Sequence, residues 1–240
     1  MGSFVECLPY YDNFVTLDEE VTDEWGMPVL HISGELKHNE KVMMQKMAEA
    51  AGYPYYVTGL NVKLKKGMYG NTTLSKFTIT QSRNINLTVG KRKARGCQHS
   101  SIQSNNSSEF SQNSEVFNLH LGLSAQERIR QIGLLTQSEE FSSLNPDTPC
   151  LVGGDFNDWR SMLRALFIIG KDFQCATDRT TLRGNETALK TFPSFAPRGG
   201  LDRIYYRGKM TCHHISTTKM NLAKVASDHL PVLGLFEVEK

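Results

Sequence analysis

The chain has 240 residues, 39% of them hydrophobic, and a formal net charge of +2. That supplies the core of one large α/β domain, and no apolar run approaches the roughly 20 residues that a membrane-crossing helix needs. No basic-then-apolar leader opens the sequence, so a cytoplasmic protein without signal peptide or transmembrane segment is expected. The five cysteines, Cys7, Cys97, Cys150, Cys175 and Cys212, are scattered without Cys-x-x-Cys spacing, which favours free thiols over a disulfide frame. Charge is unevenly spread. Residues 1–40 hold nine acids against the single base Lys37, which leaves 26 bases against 16 acids in the remainder. Such an excess attracts a phosphate-bearing partner, although ordinary surface lysines account for it equally well.

In chain order, Pro28 to Ile32 is strand-like and Glu35 follows it. Glu40 to Ala51 carries Val42, Met43, Lys46, Met47 and Ala50 at helical spacing, and Gly52 is a natural stop. Leu74 to Thr80 and Ile85 to Val89 read as strands broken by polar turns. The turn Lys91-Arg92-Lys93-Ala94-Arg95 reads as a solvated loop or as a nucleic-acid patch without interleaved aromatics. His99 to Glu115, rich in Ser, Asn and Gln, reads as a hairpin or edge pair too polar for core. A strand over Glu115–Leu121 ends at Gly122. Ser124 and Glu127 then have capping-box spacing before a helix to about Gln137, with Ile129, Ile132 and Leu135 facing inward. Cys150-Leu151-Val152 is a short buried strand, and Asp158 is placed to cap a helix through Trp159–Ile168. Ile204–Arg207, Met210–Ile215 and Leu230–Val238 complete the strands. Mixed strands with interleaved helices define an α/β layered protein.

Three motifs put acids, an amide or an imidazole where an apolar run meets a loop: Gly153-Gly154-Asp155-Phe156-Asn157-Asp158, Leu201-Asp202-Arg203-Ile204, and Ala226-Ser227-Asp228-His229-Leu230-Pro231. Each residue also has a plain structural reading. Asp155 and Asn157 suit turn hydrogen bonds, Asp202 with Arg203 a surface ion pair, Asp228 a turn cap and His229 a core imidazole. His213 and His214 are adjacent in a strand and point to opposite faces, so they do not form one metal site.

In this order the motifs resemble the endonuclease/exonuclease/phosphatase superfamily of metal-dependent phosphoesterases, over about residues 52–239. Tyr69-Gly70-Asn71-Thr72-Thr73-Leu74-Ser75-Lys76-Phe77 is similar to the family's Gly-Asn…Leu-Ser-Arg-Phe segment, and Asn118-Leu119-His120-Leu121-Gly122 to its Thr-His-Leu strand. The stretch Thr191-Phe192-Pro193-Ser194-Phe195-Ala196-Pro197-Arg198 resembles its bacterial members. The resemblance implies a four-layer α/β/β/α sandwich of two stacked mixed sheets. It also implies a role for each matching residue. Asp155 orients or deprotonates water, Asn157 donates to a phosphate oxygen from the same side of an extended segment, and Asp202 pairs with His229, which contacts the scissile phosphate. Asp228 lies beside Mg²⁺ or Mn²⁺, and His120 and Asn71 make secondary phosphate contacts. The substrate it implies is a phosphate ester: nucleic acid, phospholipid headgroup or small phosphate.

Residues 7–51, by contrast, resemble a piece of the substrate domain of glucose–methanol–choline oxidoreductases, in Leu8-Pro9-Tyr10-Tyr11 and Asp23-Glu24-Trp25-Gly26-Met27-Pro28. No dinucleotide-binding Gly-x-Gly-x-x-Gly accompanies them, so no flavin is expected. The chain divides on this basis into an acidic segment, 1–51, and a phosphoesterase-like domain, 52–240. The two strands that open the resembled family end in an Asn and in a Gln-Glu pair whose Glu is the principal metal ligand. Nothing before Gly52 clearly supplies them, and Glu35 is the one stand-in, so the sandwich is expected to be incomplete there. A hydrolase using the Asp/Asn and Asp-His site is the leading expectation; a weak or inactive remnant acting as a binding domain is the alternative.

Overall fold

The computed structural model describes residues 15–22, 28–32, 45, 48–49, 51–64, 67–103, 113–180, 186–218 and 221–239. Glu35 and the tip of the 99–115 hairpin lie outside these residues, as does most of the expected 40–51 helix. Gln45, Ala48 and Glu49 are helical, and Gly52, at φ +72°, stops that helix as expected. Its N–H reaches the Glu49 carbonyl at 3.0 Å, and the Tyr53 N–H reaches Ala48 at 2.7 Å.

Two short strands, β1 (Val15–Thr22) and β2 (Pro28–Ile32), pair antiparallel with each other. Then come the hairpin β3 (Tyr55–Leu64) and β4 (Gly67–Ser75), followed by β5 (Thr78–Asn86), β6 (Gly96–Gln103) and β7 (Asn113–His120). Helices α1 (Ala125–Gln137) and α2 (Glu139–Ser142) lead to β8 (Cys150–Asp155), and α3 (Arg164–Lys171) leads to β9 (Gln174–Cys175). The short pair β10 (Asp178–Thr180) and β11 (Glu186–Ala188) precedes β12 (Asp202–Arg207). The chain closes with β13 (Met210–Thr217), α4 (Asn221–Ala226) and β14 (Val232–Val238). Six strands form one sheet in the order β5-β6-β7-β8-β12-β9, with β7–β8 parallel and the other pairs antiparallel.

Alternation sorts this sheet into two faces. Cys97, Phe117, Leu119, Cys150, Val152 and Tyr205 join Ile132 and Leu135 of α1, Phe141 of α2 and Phe167 of α3 in one core. The opposite face presents Leu151, Ile204 and Tyr206 to Met210, Cys212, Ile215 and Phe236 of the β13–β14 hairpin. It also presents Gln98 and Asn118 to β4, where Gln98 meets Thr73 and the Asn118 amide donates to the Thr72 carbonyl at 3.0 Å. Helices thus cover one face and paired strands the other, an α/β sandwich of stacked sheets as expected. Among the described residues the second strand layer consists of separate hairpins.

Several local expectations change. Strand β6, in a run expected to be too polar for core, is buried from Gly96 to Ser101 because its polar groups satisfy one another. His99 Nε2 lies 2.6 Å from Glu115 Oε2, the Ser101 hydroxyl donates to Glu115 Oε1 at 2.9 Å, and the Gln98 amide donates to Ser100 at 2.8 Å. The capping box does not close, since Ser124 makes no side-chain cap bond. Glu127 instead accepts from Arg92 at 3.0 Å and from Gln131 at 3.2 Å. Ile129 faces solvent, and Arg128 and Gln131 are buried in its stead. The helix expected after Asp158 starts only at Arg164, because Ser161 takes a left-handed φ of +53°. The Asp158 carboxylate still caps, accepting the Leu163 N–H at 2.7 Å.

Gly153 and Gly154 occupy adjacent positions on β8 but face different constraints. Gly154 has φ +137°, and a side-chain carbon there would collide with the Leu119 carbonyl oxygen on β7. A Cβ at Gly153 would meet nothing closer than 3.6 Å. Urea unfolding should therefore show Gly154→Ala losing about 3 kcal/mol or more, while Gly153→Ala stays within about 1 kcal/mol of wild type.

Candidate active site

Asp155 is the last residue of β8, where register places it between two neighbours. His120 ends the parallel strand β7 and is its partner on one side; Asp202 opens the antiparallel strand β12 and is its partner on the other. The loop after α4 brings His229 onto Asp202, with Nδ1 2.7 Å from Oδ2. Thr191 donates its hydroxyl to the same oxygen, and its carbonyl accepts the Leu230 N–H at 2.8 Å, tying the loop down beside the imidazole. Phe192 lies against the His229 ring at 5.0 Å between centroids, and Trp159 meets Phe192 edge-on at 5.7 Å. The four side chains are between 17% and 26% exposed, which is access without full hydration.

Burial pushes Asp155 up to about 6, and the Asp202 charge adds to that effect against the Asn157 N–H, His229 and Arg95. Burial, with the charges of Arg95, His229 and Lys93, pushes His120 down to about 4. The imidazole is thus neutral at pH 7, and its 3.5 Å approach to Asp155 Oδ2 is not an ion pair. Burial alone would also lower His229, but the Asp202 hydrogen bond and charge, helped by Asp155 and Asp228, outweigh it and hold this pKa above its ordinary value. With Nδ1 engaged by Asp202, Nε2 is the nitrogen left for a ligand.

The other expected site residues are placed differently. Asn157 does not continue an extended segment, because it turns the chain at φ +51°. Its backbone N–H donates to Asp155 Oδ1 at 2.8 Å and its buried amide to the Leu121 carbonyl at 3.0 Å, so it braces the Asp155 loop and keeps one amide hydrogen for other use. Asn71 sits on β4 and spends its amide on the carbonyls of Asn118 (2.9 Å) and Gly96 (3.5 Å), which stitches the two strand layers together. Asp228 is exposed, gives its carbonyl to the Ser194 N–H at 2.7 Å, and acts electrostatically on His229. Asp202 and Arg203 form no surface pair. Arg203 is 2% exposed and bonds Asp178 at 3.0 Å and the Ser161 hydroxyl.

Two residues near the site are given no role of their own by the sequence. Thr191 opens the stretch Thr191–Arg198 that resembles the family's bacterial members, and nothing there marks its hydroxyl as the partner of Asp202. Arg95 belongs to the basic turn but is buried, unlike its exposed neighbours Lys91, Arg92 and Lys93. Its place immediately before Gly96, where a strand begins, is the only hint.

Among the described residues no three His, Cys, Asp or Glu side chains gather into a cluster able to enclose a metal ion. Asp228, the described residue expected to lie beside the metal, supplies carboxylate oxygens of the kind Mg²⁺ takes, with several waters retained.

The sequence profile of the Endonuclease/Exonuclease/phosphatase family matches residues 19–229, and the chain belongs to that family. The match begins inside the acidic segment. An uncharacterized protein of Escherichia coli K12, YbhP, is 28% identical over 177 residues, which cover 74% of this chain and 66% of that protein; the chain thus spans just under two thirds of this relative's length. Among solved structures, the mannosyl-6-phosphatase Bt3783 of Bacteroides thetaiotaomicron shares the fold with a TM-score of 0.63 at 16% identity, covering 82% of each chain. The catalytic domain of human Nocturnin, solved with a bound sulfate anion, gives 0.64 at 19% identity, covering 82% of this chain and 76% of that one.

Both titrations have signed consequences for stability. The folded pKa of Asp155 lies above its unfolded value, so its relative stabilisation is complete below about pH 4 and is lost as pH rises through about 6. In metal-free protein, Asp155→Asn should therefore gain on wild type between pH 4 and pH 8, by at most about 3 kcal/mol. A pH-independent difference in urea midpoints would show that the carboxylate is not strained. His229 also has a raised folded pKa, so its contribution is present below its unfolded pKa and fades as pH rises through the folded one. Imidazole NMR titration should find the His229 pKa lower in Asp202→Asn than in wild type, because burial is then opposed only by the smaller effects of the Asp155 and Asp228 charges; an unchanged pKa would show that Asp202 does not hold it up.

Proposed function

We propose that this protein is a divalent-metal-dependent hydrolase of phosphodiesters or phosphomonoesters, and that Asp155, Asp202 and His229 carry the reaction. One observation bears most of the weight: a 2.7 Å Asp202–His229 hydrogen bond stands in register beside a half-buried carboxylate whose pKa is raised to about 6. A base near neutrality is suited to taking a proton from water while remaining ionised at working pH. Asp155 has that role, its Oδ1 held by the Asn157 N–H and its Oδ2 lying 3.5 Å from His120 Nε2. His229, its pKa held above the ordinary value by Asp202, presents Nε2 to the phosphoryl oxygens and stabilises the charge that grows there. His120, neutral, contributes a hydrogen bond and not a charge. Asp228 would hold Mg²⁺ or Mn²⁺, a cation that when bound offsets negative charge on the phosphoryl group.

Substrates consistent with this chemistry are nucleic acids, phospholipid headgroups and small phosphates. The basic excess outside residues 1–40 supports any of them, and the phosphatase Bt3783 has the same fold. A second reading, a weakly active or inactive binding domain, is favoured by one fact: the described residues offer no three-ligand metal cluster. Rates decide between the two. Hydrolysis of bis(4-nitrophenyl) phosphate should require Mg²⁺ or Mn²⁺, stop with chelator, and fall about 10²- to 10⁴-fold in His229→Ala. Turnover that survives both chelator and the substitution, or a folded wild type with no turnover on diester or monoester, would favour the second reading.

A further inference from the structure

Arg95 is 8% exposed, yet its Nε and Nη1 have no hydrogen-bond partner among the described residues. A guanidinium is always charged in proteins and offers five donors in a fixed fork that fits carboxylate or phosphate oxygens. Leaving such donors buried and unused is unfavourable, and each instance calls for an explanation. Asp155, the acid on which the Arg95 charge acts, does not supply one, since its carboxylate is engaged by the Asn157 N–H at 2.8 Å while its other oxygen lies 3.5 Å from His120.

Backbone geometry fixes where this side chain starts. The Leu87 N–H donates to the Arg95 carbonyl at 2.9 Å, and the Arg95 N–H donates to the Thr88 hydroxyl at 3.2 Å, so the end of the basic turn is held rigidly at the head of β6. Strand β6 pairs antiparallel with β7, with Cys97 opposite Leu119. The next step of that register brings Gly96 level with His120, and Arg95 stands just beyond. Its charge reaches both Asp155 and His120, as Lys93 also does to His120. Cationic groups thus flank the site on the β7 side, opposite the Asp202–His229 pair on the β12 side.

From this geometry we infer that Arg95 is a substrate-contacting residue that clamps phosphoryl oxygens on the His120 side of the site, with Lys93 adding charge at its outer edge. The inference rests on the phosphate-ester reading and extends it: the substrate is gripped from two sides, by His229 across β12 and by Arg95 across β6. The oxygens belong either to the reacting phosphate or to a second phosphate of the same substrate.

The experiment uses the full chain in Mg²⁺ and reads binding apart from turnover. Titrating inorganic phosphate into wild type should shift the Arg95 Nε–H resonance, assigned by its loss in Arg95→Lys. Arg95→Gln should weaken phosphate binding by about ten- to a hundredfold, with partial recovery in Arg95→Lys, because a hydrogen bond to a charged group is lost. Kinetics separate the two sources. A similar fall in kcat/KM on bis(4-nitrophenyl) phosphate and on a 5′-phosphorylated thymidine dinucleotide assigns Arg95 to the reacting group. A rise in KM confined to the dinucleotide assigns it to a second phosphate. An unmoved Nε–H resonance, or a folded Arg95→Gln with unchanged phosphate affinity, overturns the inference while leaving the hydrolase reading intact. Should Arg95→Gln fail to fold, the wild-type resonance decides alone.

Discussion

Everything at the site depends on the register of three neighbouring strands. Parallel pairing of β7 with β8 sets His120 level with Asp155, and antiparallel pairing of β8 with β12 sets Asp202 level on the other side. A slip of one residue on either side would turn a side chain to the opposite face of the sheet. Gly154 permits this closeness, because its bare α-carbon passes the Leu119 carbonyl one residue before Asp155. The core beneath, with Phe117, Leu119, Val152 and Tyr205 facing the helices, holds that register by excluding any other set of side chains from the same face.

Burial then tunes the chemistry. The same desolvation that raises Asp155 lowers His120, and His229 escapes that lowering chiefly because Asp202 stands 2.7 Å away, with the Asp155 and Asp228 charges adding to it. Carboxylate and imidazole on adjacent strands are thereby driven toward different protonation states, the usual sign that two groups share a site without sharing a task. The stitching residues serve the same end. Asn71 and Asn118 tie β4 to β7 through backbone carbonyls, and Asn157 ties the Asp155 loop to Leu121. Donors that a sequence places beside a phosphate are here largely consumed in keeping the frame rigid.

Much of this was legible in the residues. Asp155, Asp202 and His229 stand where strands meet loops, and their motifs carried both the fold and the pairing of Asp202 with His229. What failed did so for local reasons. The strand Tyr55–Leu64 has good strand formers, but Gly59 weakens the pattern, and that glycine exists to make room for Asn84 and Gln98. Polar β6 was unreadable as core because a sequence does not reveal that His99, Ser101 and Glu115 meet. Asn157 misled because alternation holds only inside a strand, and the strand ends at Asp155. Arg95 looked like one more base in a solvated turn.

The central claim is that Asp155 and the Asp202–His229 pair face one phosphoryl group. Locating inorganic phosphate in a crystal grown with Mg²⁺ tests it most directly. The account expects the anion within hydrogen-bond distance of His229 Nε2 and beside the Asp155 carboxylate. Phosphate bound elsewhere on the surface, with the His229 ring turned away from it and still bonded to Asp202, would contradict it.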